Sequence, residues 1–353
     1  MVADSYSSAR ESTGGTHSSA GLYAQSSFPE NASYLNDGIM AGIVGTPRWT
    51  DSGLASYAFD KGHAAALIRA YRRDGNDCLK HLRGSFSLGI LHPLEQTVLL
   101  AVDRMGIQPL CYSIAADGTL VFGSSADAVR HHPVIDARLN PQGLYDYVYF
   151  NMIPSPVTIY SNIRKLEPGQ CLILRDRKVA LQFHWQPVFD RCISKSDALE
   201  EELRQLLRVS VTRCLGGRPT GTFLSGGLDS STVAGVLSEV SDRTVPTYSI
   251  GFSEEGYDEM PYARIAAGHF VTEHHEYYVT LEDVVAAIPA IARAYDEPYG
   301  NSSAIPAYFC ARLASGDGIQ SLLAGDGGDE LFGGNTRYAK QKTFELYHSL
   351  PAK

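Results

Sequence analysis

Apolar residues follow two different rhythms in the two halves of the chain. Between residue 82 and about residue 185, short apolar runs are cut by glycine and proline, and this spacing predicts strands of stacked antiparallel sheets. Two stretches of the same half have helical spacing. The predicted strands are Ser85–Leu91, Thr97–Val102, Leu110–Ile114, Thr119–Phe122 and Gln170–Leu174, and the predicted helices are Ala64–Tyr71 and Pro141–Tyr149.

From about residue 190 onwards, strand-like runs alternate with amphipathic helical stretches. The first of these helices is signalled by Asp197 and Glu200, which stand three residues apart ahead of a leucine-rich stretch. Alternation of strands and helices predicts a parallel, doubly wound sheet, and in such sheets ligands bind beyond the carboxyl ends of the strands. The predicted strands are Pro219–Leu224, Val245–Ile250, His274–Val279 and Ile319–Ala324.

The first 39 residues have neither rhythm. They are rich in Ser, Gly, Ala and Thr, a composition that predicts a disordered tail because too little apolar surface is available for burial. Met40 opens the first strand-like stretch and is a second possible start of translation. The chain is therefore predicted to consist of a tail (1–39), a first α+β domain (40–190) and a second, α/β domain (191–353).

Charge and cysteine usage narrow the choice of partners. The formal net charge is −9 and the pI is near 5.7, which argues against nucleic acid or an anionic membrane as the main partner. The six cysteines form no C-x-x-C pair, so neither a zinc site nor a disulfide framework is indicated. No apolar run of membrane-spanning length and no signal peptide is present, and we expect a cytoplasmic protein.

A glycine turn that opens a helix follows the predicted strand 220–224. Ser225–Ser231 (SGGLDSS) combines paired glycines, three hydroxyl groups and free helix-terminal amides, which suit a pyrophosphate group. Asp229 would repel that group unless a cation such as Mg²⁺ lay between them. The motif therefore indicates a magnesium nucleotide. The alternative is a tight turn with a serine cap; the Walker and G-x-G-x-x-G patterns are absent.

A second glycine-rich turn, residues 322–334 (LLAGDGGDELFGG), follows another predicted strand. Its acidic side chains Asp326, Asp329 and Glu330 are suitable ligands for a metal ion, and its glycines would admit a nucleotide close to the backbone. The alternative is a solvated acidic loop.

Together these turns resemble the asparagine synthetase superfamily, as do Leu82–Ile90 (LRGSFSLGI), Ala101–Leu110 (AVDRMGIQPL) and Ile163–Gln170 (IRKLEPGQ). The resemblance extends from Met40 to Lys353. It implies an Ntn-type domain of the class II glutamine amidotransferase kind, with stacked antiparallel sheets. A pyrophosphatase-loop domain with the fold of the adenine-nucleotide alpha hydrolases would follow it.

The same resemblance implies roles for individual residues. Asp326 would lie near the reacting carboxylate, and the pairs Asp258–Glu259 and Asp296–Glu297 stand in family-like stretches, where the alternative for either pair is a helix cap. The implied ligand contacts are adenine and ribose at Leu224 and Ile250, AMP at Ala324 and Gly325, pyrophosphate at Ser225, Gly226, Gly227, Asp229, Ser230 and Ser231, and Mg²⁺ at Asp229 and Asp329.

The first domain departs from the family at its nucleophile. Ala41 stands where the family has a catalytic cysteine, and His63 stands where an aspartate holds the glutamine amine. A methyl group cannot attack an amide, so we expect no glutaminase activity. The alternative nucleophiles are Cys78 and Cys111, neither of which offers an N-terminal amine as base. This arrangement resembles β-lactam synthetases and lasso-peptide cyclases, which use no glutamine.

The sequence thus predicts an ATP-dependent, AMP-forming ligase that activates aspartate or a related small-molecule or peptide carboxylate for attack by ammonia or an amine. Family synthetases continue beyond the position of Lys353 and carry a lysine there, so we expect an incomplete synthetase domain. Two alternatives remain open. One is a nucleotide-binding subunit that needs a separate carboxyl-terminal synthetase half, and the other is an amide former of the β-lactam synthetase or lasso-peptide cyclase kind. A homodimer is a further possibility.

Overall fold

The computed structural model describes residues 16–19, 22–25, 33–188, 196–253 and 258–335, together with residues 338, 340 and 343. The chain divides into two compact units. The first comprises residues 1–190 and the segment Tyr295–Asn301, and the second comprises residues 191–294 and 302–353. A segment that is late in the sequence therefore belongs to the unit formed by the first part of the chain.

The first unit contains an antiparallel six-stranded sheet, a three-stranded sheet and a separate hairpin. The six-stranded sheet has the order β11-β10-β6-β5-β4-β3, and the three-stranded sheet has the order β8-β7-β9. The strands are β1 (Thr16–Ser19), β2 (Leu22–Gln25), β3 (Ser33–Asn36), β4 (Ile39–Trp49), β5 (Leu82–His92), β6 (Thr97–Val102), β7 (Cys111–Ile114), β8 (Leu120–Gly123), β9 (Arg164–Lys165), β10 (Gln170–Arg175) and β11 (Lys178–Phe183).

Four α-helices belong to the same unit, and residues 75–81 and 93–95 form short 3₁₀ helices. The α-helices are α1 (Ser52–Lys61), α2 (His63–Asp74), α3 (Ala126–Arg130) and α4 (Pro141–Phe150). Helix α2 begins directly after Gly62 and buries its alanine- and leucine-rich face. That face covers one side of the six-stranded sheet.

Alternation along the central strands explains how both faces of the large sheet are buried. On β4, Met40 points into a core shared with the three-stranded sheet, where it packs with Leu100 and Tyr112. Its neighbour Ala41 points into a second core, where it lies with Leu67 of α2. Successive side chains of a strand alternate between its faces, so both faces must be apolar here. The predicted stacking of antiparallel sheets is confirmed.

The predicted tail is wrong for the segments that the structure describes. Thr16–Ser19 pairs with Leu22–Gln25 as a hairpin, and Ser33–Asn36 forms the edge strand beside β4. The turn between β3 and β4 is held by Arg72, which donates to the Asn36 carbonyl oxygen (3.1 Å) and to Asp37 (2.9 Å). A four-residue strand is too short for a sequence period to reveal, and the open edge of β4 supplies its hydrogen bonds. The other residues of 1–39, apart from the turn before β4, lie outside the described residues.

The second unit is a four-stranded parallel sheet with the order β14-β13-β12-β15. Its strands are β12 (Thr220–Phe223), β13 (Pro246–Phe252), β14 (Glu273–Val279) and β15 (Ser321–Leu323). Its helices are α5 (Ser196–Leu215), α6 (Leu228–Val240), α7 (Met260–Phe270), α8 (Leu281–Ala294), α9 (Ala304–Gly316) and α10 (Gly328–Phe332).

Helices cover both faces of this parallel sheet. Leu224, at the end of β12, packs with Ala234 of α6 and Ala263 of α7 on one face. Tyr248 of β13 packs with Cys310 of α9 on the other face. The predicted doubly wound arrangement is therefore confirmed. Within the described residues no helix combines the length and the apolar character needed to cross a membrane.

The strand order determines where a ligand crevice forms. The chain proceeds from β12 outward through β13 to β14, then returns to the other side of β12 as β15. Strands β12 and β15 are hydrogen-bonded neighbours in parallel register. Loops that leave two neighbouring strands in opposite winding directions separate and leave a crevice between them. The two glycine-rich turns of the sequence follow these two strands.

Candidate functional site

The two glycine-rich turns meet at the crevice beyond β12 and β15. A Cβ atom added to Gly325 would lie 2.8 Å from the Cβ atom of Asp229 and 2.9 Å from the amide nitrogen of Ser230. A Cβ atom added to Gly328 would collide with the Asp229 carboxylate. The second turn can approach Asp229 this closely only because it has no side chains at these positions. The site thus joins residues that are about 100 positions apart.

The amino end of α6 presents unpaired amides to this crevice. Gly227 is the cap residue, and no side chain bonds to the helix-terminal amides in the described part of the chain. Ser231 makes the first intrahelical hydrogen bond, from its amide to the Gly227 carbonyl oxygen (3.0 Å). The amides that precede this bond have no acceptor within the helix, and together with the helix dipole such groups attract an anion.

Serine hydroxyl groups stabilise the conformation of the turn Ser225–Ser231 through hydrogen bonds. Ser225 Oγ and Ser230 Oγ are 3.0 Å apart, and Ser225 Oγ also accepts from the Gly227 amide (3.3 Å). Gly226 has a φ of +86°, and a Cβ atom there would lie 2.5 Å from the start of α7 at Tyr262. Its conformation and its close packing both require glycine.

Asp329 belongs to the acidic turn and directly follows Gly328, which packs against the Asp229 carboxylate. The Asp329 carboxylate lies against Gly334, and its carbonyl oxygen accepts from the Gly333 amide (2.8 Å), which closes the short helix α10. Asp326 and Glu330 are exposed. In the described residues no three His, Cys, Asp or Glu side chains converge on one point. Mg²⁺ commonly binds one or two carboxylates plus phosphate oxygens and water, so this donor set fits a magnesium nucleotide rather than a dedicated metal cage.

The four residues predicted to contact adenine, ribose or AMP differ in how far they are exposed. Ala324 is exposed and Gly325 half-buried at the end of β15, so their main chains are accessible to a ligand. The Leu224 side chain is only 1% exposed and packs in the core, and its main chain bonds to Tyr248 and Ser249. The nucleotide contact at Leu224 stays a prediction. Ile250 is half-buried between two core clusters.

The helix-cap alternative holds for two of the four acidic residues in the family-like stretches. Asp258 accepts from the Met260 amide (3.2 Å) at the start of α7. Asp296 accepts from the amides of Ala126 (2.6 Å) and Asp127 (2.9 Å) at the start of α3. Both carboxylates therefore stabilise helix starts through hydrogen bonds and the helix dipole.

Glu297 has a structural role that the sequence did not predict. Its carboxylate pairs with Lys165 and accepts from the Ile159 amide (2.7 Å), and the side chains of Lys165 and Glu297 are only 15% and 13% exposed. Both residues belong to the first unit. Sequence alone offers no signal for this pair, because 131 residues stand between its members. Glu297 therefore anchors the segment Tyr295–Asn301 in that unit.

Ala41 and His63, where the sequence departs from the family's glutaminase, both contact other residues of the first unit. Ala41 is the third residue of β4 and lies between Tyr34 of β3 and Ile90 of β5, so its nitrogen is part of a continuous strand. His63 accepts a hydrogen bond at Nδ1 from the Trp49 indole (3.1 Å), and burial lowers the pKa of the imidazole. Absence of glutaminase activity at these positions stays a prediction.

The alternative nucleophiles fail for an electrostatic reason. Cys78 and Cys111 are fully buried in apolar clusters. Burial raises the pKa of the Cys78 thiol to about 12 and raises the pKa of the Cys111 thiol as well. Because the thiolate is the attacking form, neither residue is a competent nucleophile near neutral pH.

We expect the Ala41→Cys variant to release no ammonia from glutamine above the level of the unaltered chain. A thiol within a continuous strand has no N-terminal amine to act as its base. Ammonia release can be followed with a coupled glutamate dehydrogenase assay, and heat-inactivated protein supplies the background. Multiple turnovers of glutamine by the variant would contradict the structural assignment of residue 41.

Two architectures are thus combined in one chain, an antiparallel sandwich of the amidotransferase type followed by a parallel sheet whose winding switch carries a pyrophosphate-type turn. Residues 202–352 match the family model for asparagine synthase, and residues 58–185 match that for a glutamine amidotransferase domain. The chain belongs to the asparagine synthetase superfamily.

Individual relatives support this assignment over most of the chain. An asparagine synthetase-like protein from Methanocaldococcus jannaschii is 34% identical over 292 residues, which cover 81% of this chain and 56% of the relative. Asparagine synthetase 1 of Bacillus subtilis is 28% identical, with 81% and 45% covered, and asparagine synthetase B of Escherichia coli is 26% identical, with 83% and 50% covered. The chain spans about half the length of these relatives.

Proposed function

We propose that the chain is the nucleotide-binding and carboxylate-activating part of an ATP-dependent amide ligase. A carboxylate attacks the α-phosphorus of ATP, forming an acyl adenylate and releasing pyrophosphate. An amine or ammonia then attacks the acyl carbon, forming the amide and releasing AMP. The observation that carries this proposal is the close packing of Gly325 and Gly328 against Asp229, which brings the amino end of α6 and the acidic turn to one crevice.

Each part of the crevice has a task in this reaction. The amino-terminal amides of α6 and the Ser225 hydroxyl group would hold the departing pyrophosphate. Asp229 and Asp329 would hold Mg²⁺, which neutralises charge on the leaving group. Asp326 is exposed at the mouth of the turn, where it would meet the carboxylate substrate. Fixing both reactants in one site can contribute on the order of 7–11 kcal/mol towards the barrier.

The test is pyrophosphate release from ATP by the purified chain with Mg²⁺ and aspartate. We expect Asp229→Asn and Asp329→Asn each to lower the rate by about 100-fold or more, since each removes a charge that holds the metal. Asp242→Asn, which alters an exposed carboxylate in the loop after α6, is the matched control and should leave the rate unchanged. Release that is the same in all three variants would contradict the proposal.

The acid and the nitrogen donor that are used distinguish the two kinds of amide-forming reaction. Ammonia as the nitrogen donor with aspartate as the acid would indicate asparagine formation. Activation of an acid that carries its own amine, followed by ring closure without ammonia, would indicate an amide former of the β-lactam synthetase or lasso-peptide cyclase kind. Glutamine should not replace ammonia in either case, because no nucleophile stands at residue 41.

A second candidate is a nucleotide-binding subunit that works with a separate carboxyl-terminal synthetase half. Apolar side chains of α10, at the mouth of the crevice, favour it: Leu331 is 73% exposed and Phe332 is 62% exposed. Exposed apolar side chains beside a binding site are typical of a surface that another segment covers. Turnover of ATP to AMP by the chain alone on the order of 1 per second would reject this candidate.

A further inference from the structure

The first unit contains a cavity that the proposed reaction does not use. It has a volume of about 490 Å³ and lies beside the carboxyl end of α2, between the ends of β4, β6 and β10. Its apolar wall is formed by Ile39, Tyr71 and Ile173, and its polar wall includes His92, Glu95 and Arg175. The volume is in the range of small-molecule sites. Most of the lining residues are polar, and Arg72, Asn76 and Thr97 also belong to the polar wall.

This cavity is separate from the position where the family resemblance places glutamine. That position is near His63, the first residue of α2, whereas the cavity begins at Tyr71, near the other end of the helix. Eight residues of α-helix span about 12 Å. His63 is in addition occupied by its hydrogen bond from Trp49. A ligand in the cavity would therefore not occupy a remnant of the glutaminase pocket.

The polar wall offers a cation and an anion side by side. Glu95 Oε2 lies 3.3 Å from Arg175 Nη2, and the two side chains are 50% and 63% exposed. This distance is longer than the roughly 2.8 Å of a tight charge-assisted hydrogen bond, and exposed pairs of this kind are weak. Most N–H groups of Arg175 are free to bind another acceptor, because only one bond from its guanidinium occurs in the described residues.

One buried nitrogen atom of the cavity wall lacks a hydrogen-bond partner among the described residues. His92 Nδ1 is buried and makes no hydrogen bond to any residue that the structure describes, although Glu95 Oε2 lies 3.5 Å away. The ring is packed edge-on against Tyr71. Native structures leave few buried polar atoms unpaired, and such atoms often mark a binding site. Glu95 is therefore positioned between two nitrogen groups without a strong bond to either.

We propose that this cavity binds a free α-amino acid with an apolar side chain. The ligand's carboxylate pairs with Arg175, its ammonium group pairs with Glu95, and its side chain packs on Ile39, Ile173 and Tyr71. The second guanidinium of the wall, Arg72, is already paired with Asp37 at 2.9 Å. The remaining charges of the wall are one positive and one negative, so a zwitterion satisfies both, whereas a simple acid or a simple amine leaves one unsatisfied.

Isothermal titration of the full chain with L-leucine tests the proposal, with no nucleotide present, so the result is independent of the ligase activity. We expect a Kd below about 1 mM. The matched probes are 4-methylpentanoate, which is leucine without its amine, and 3-methylbutylamine, which is leucine without its carboxylate. Both should bind at least about tenfold more weakly. Equal binding of either probe would overturn the zwitterion assignment, and absence of leucine binding would overturn the proposal.

Two variants locate the ligand. Arg175→Gln and Glu95→Gln should each weaken leucine binding at least about tenfold, because each removes one charged partner. Arg138→Gln, which alters an exposed arginine elsewhere in the first unit, should have no effect. Unchanged affinity in both cavity variants would overturn the location. Leucine binding that is lost in His63→Ala but kept in Arg175→Gln would place the ligand in a remnant glutaminase pocket and would equally overturn the location.

Discussion

Replacing Glu297 with alanine is expected to lower the free energy of unfolding of the first unit by about 3–5 kcal/mol. Among the residues that the structure describes, the substitution leaves the buried ammonium group of Lys165 without a counter-charge and with only the Ile153 carbonyl oxygen (2.7 Å) as an acceptor. It also removes the acceptor of the Ile159 amide. Breaking one side of a buried pair costs far more than an exposed pair contributes, because the remaining charge cannot reach water.

Tryptophan fluorescence during urea unfolding measures this effect selectively. The chain has two tryptophans, Trp49 and Trp185, and both lie in the first unit, so their emission reports on that unit alone. Asp136→Ala is the control, since its pair with Arg138 is exposed and should contribute less than about 1 kcal/mol. A loss below 1 kcal/mol in the Glu297 variant would show that the segment Tyr295–Asn301 is not anchored through this pair.

Replacing Gly328 with alanine is expected to lower the rate of pyrophosphate release by about 100-fold. The added methyl group would collide with the Asp229 carboxylate, so either that carboxylate or the start of α10 must move. Displacements of about 1 Å among groups that position reactants commonly cost two orders of magnitude in rate. Folding of the second unit should be little affected, because the strain is confined to the mouth of the crevice.

The control for this experiment is Gly316→Ala at the end of α9. No atom lies within 4 Å of a Cβ atom at that position, so the substitution adds a methyl group in open space. Both variants are compared by circular dichroism for folding and by a coupled assay for pyrophosphate. Equal rates in Gly328→Ala and Gly316→Ala would mean that the Asp229 carboxylate has no part in catalysis.

Much of the architecture was predictable because local rules and tertiary packing agree. The runs around Leu88 and Val98 are apolar at consecutive positions, as strands buried on both faces must be. The turn at Ser225 follows a short strand and opens a helix, and its Gly226 is required by the backbone conformation. Strand alternation with helices predicted the parallel sheet. The meeting of the two turns followed from the rule that ligand sites form at a winding switch.

The parts that were not predictable depend on contacts between distant residues. The Lys165–Glu297 pair has no local signature, since a single lysine and a single glutamate usually face solvent. The burial of Leu224 in the core depends on how α6 and α7 close over β12. Strand β3 was missed because its pairing is provided by β4 rather than by its own four residues.

The excursion of Tyr295–Asn301 into the first unit sets an order of events during synthesis. A ribosome that has released the first 190 residues has delivered the whole sandwich but not the carboxylate that neutralises Lys165 or the one that bonds to the start of α3. The amino-terminal part of the nascent chain must therefore wait for roughly 110 more residues, which take about 5–20 s at ordinary elongation rates. A fragment cut at residue 190 would remain in that unfinished condition permanently.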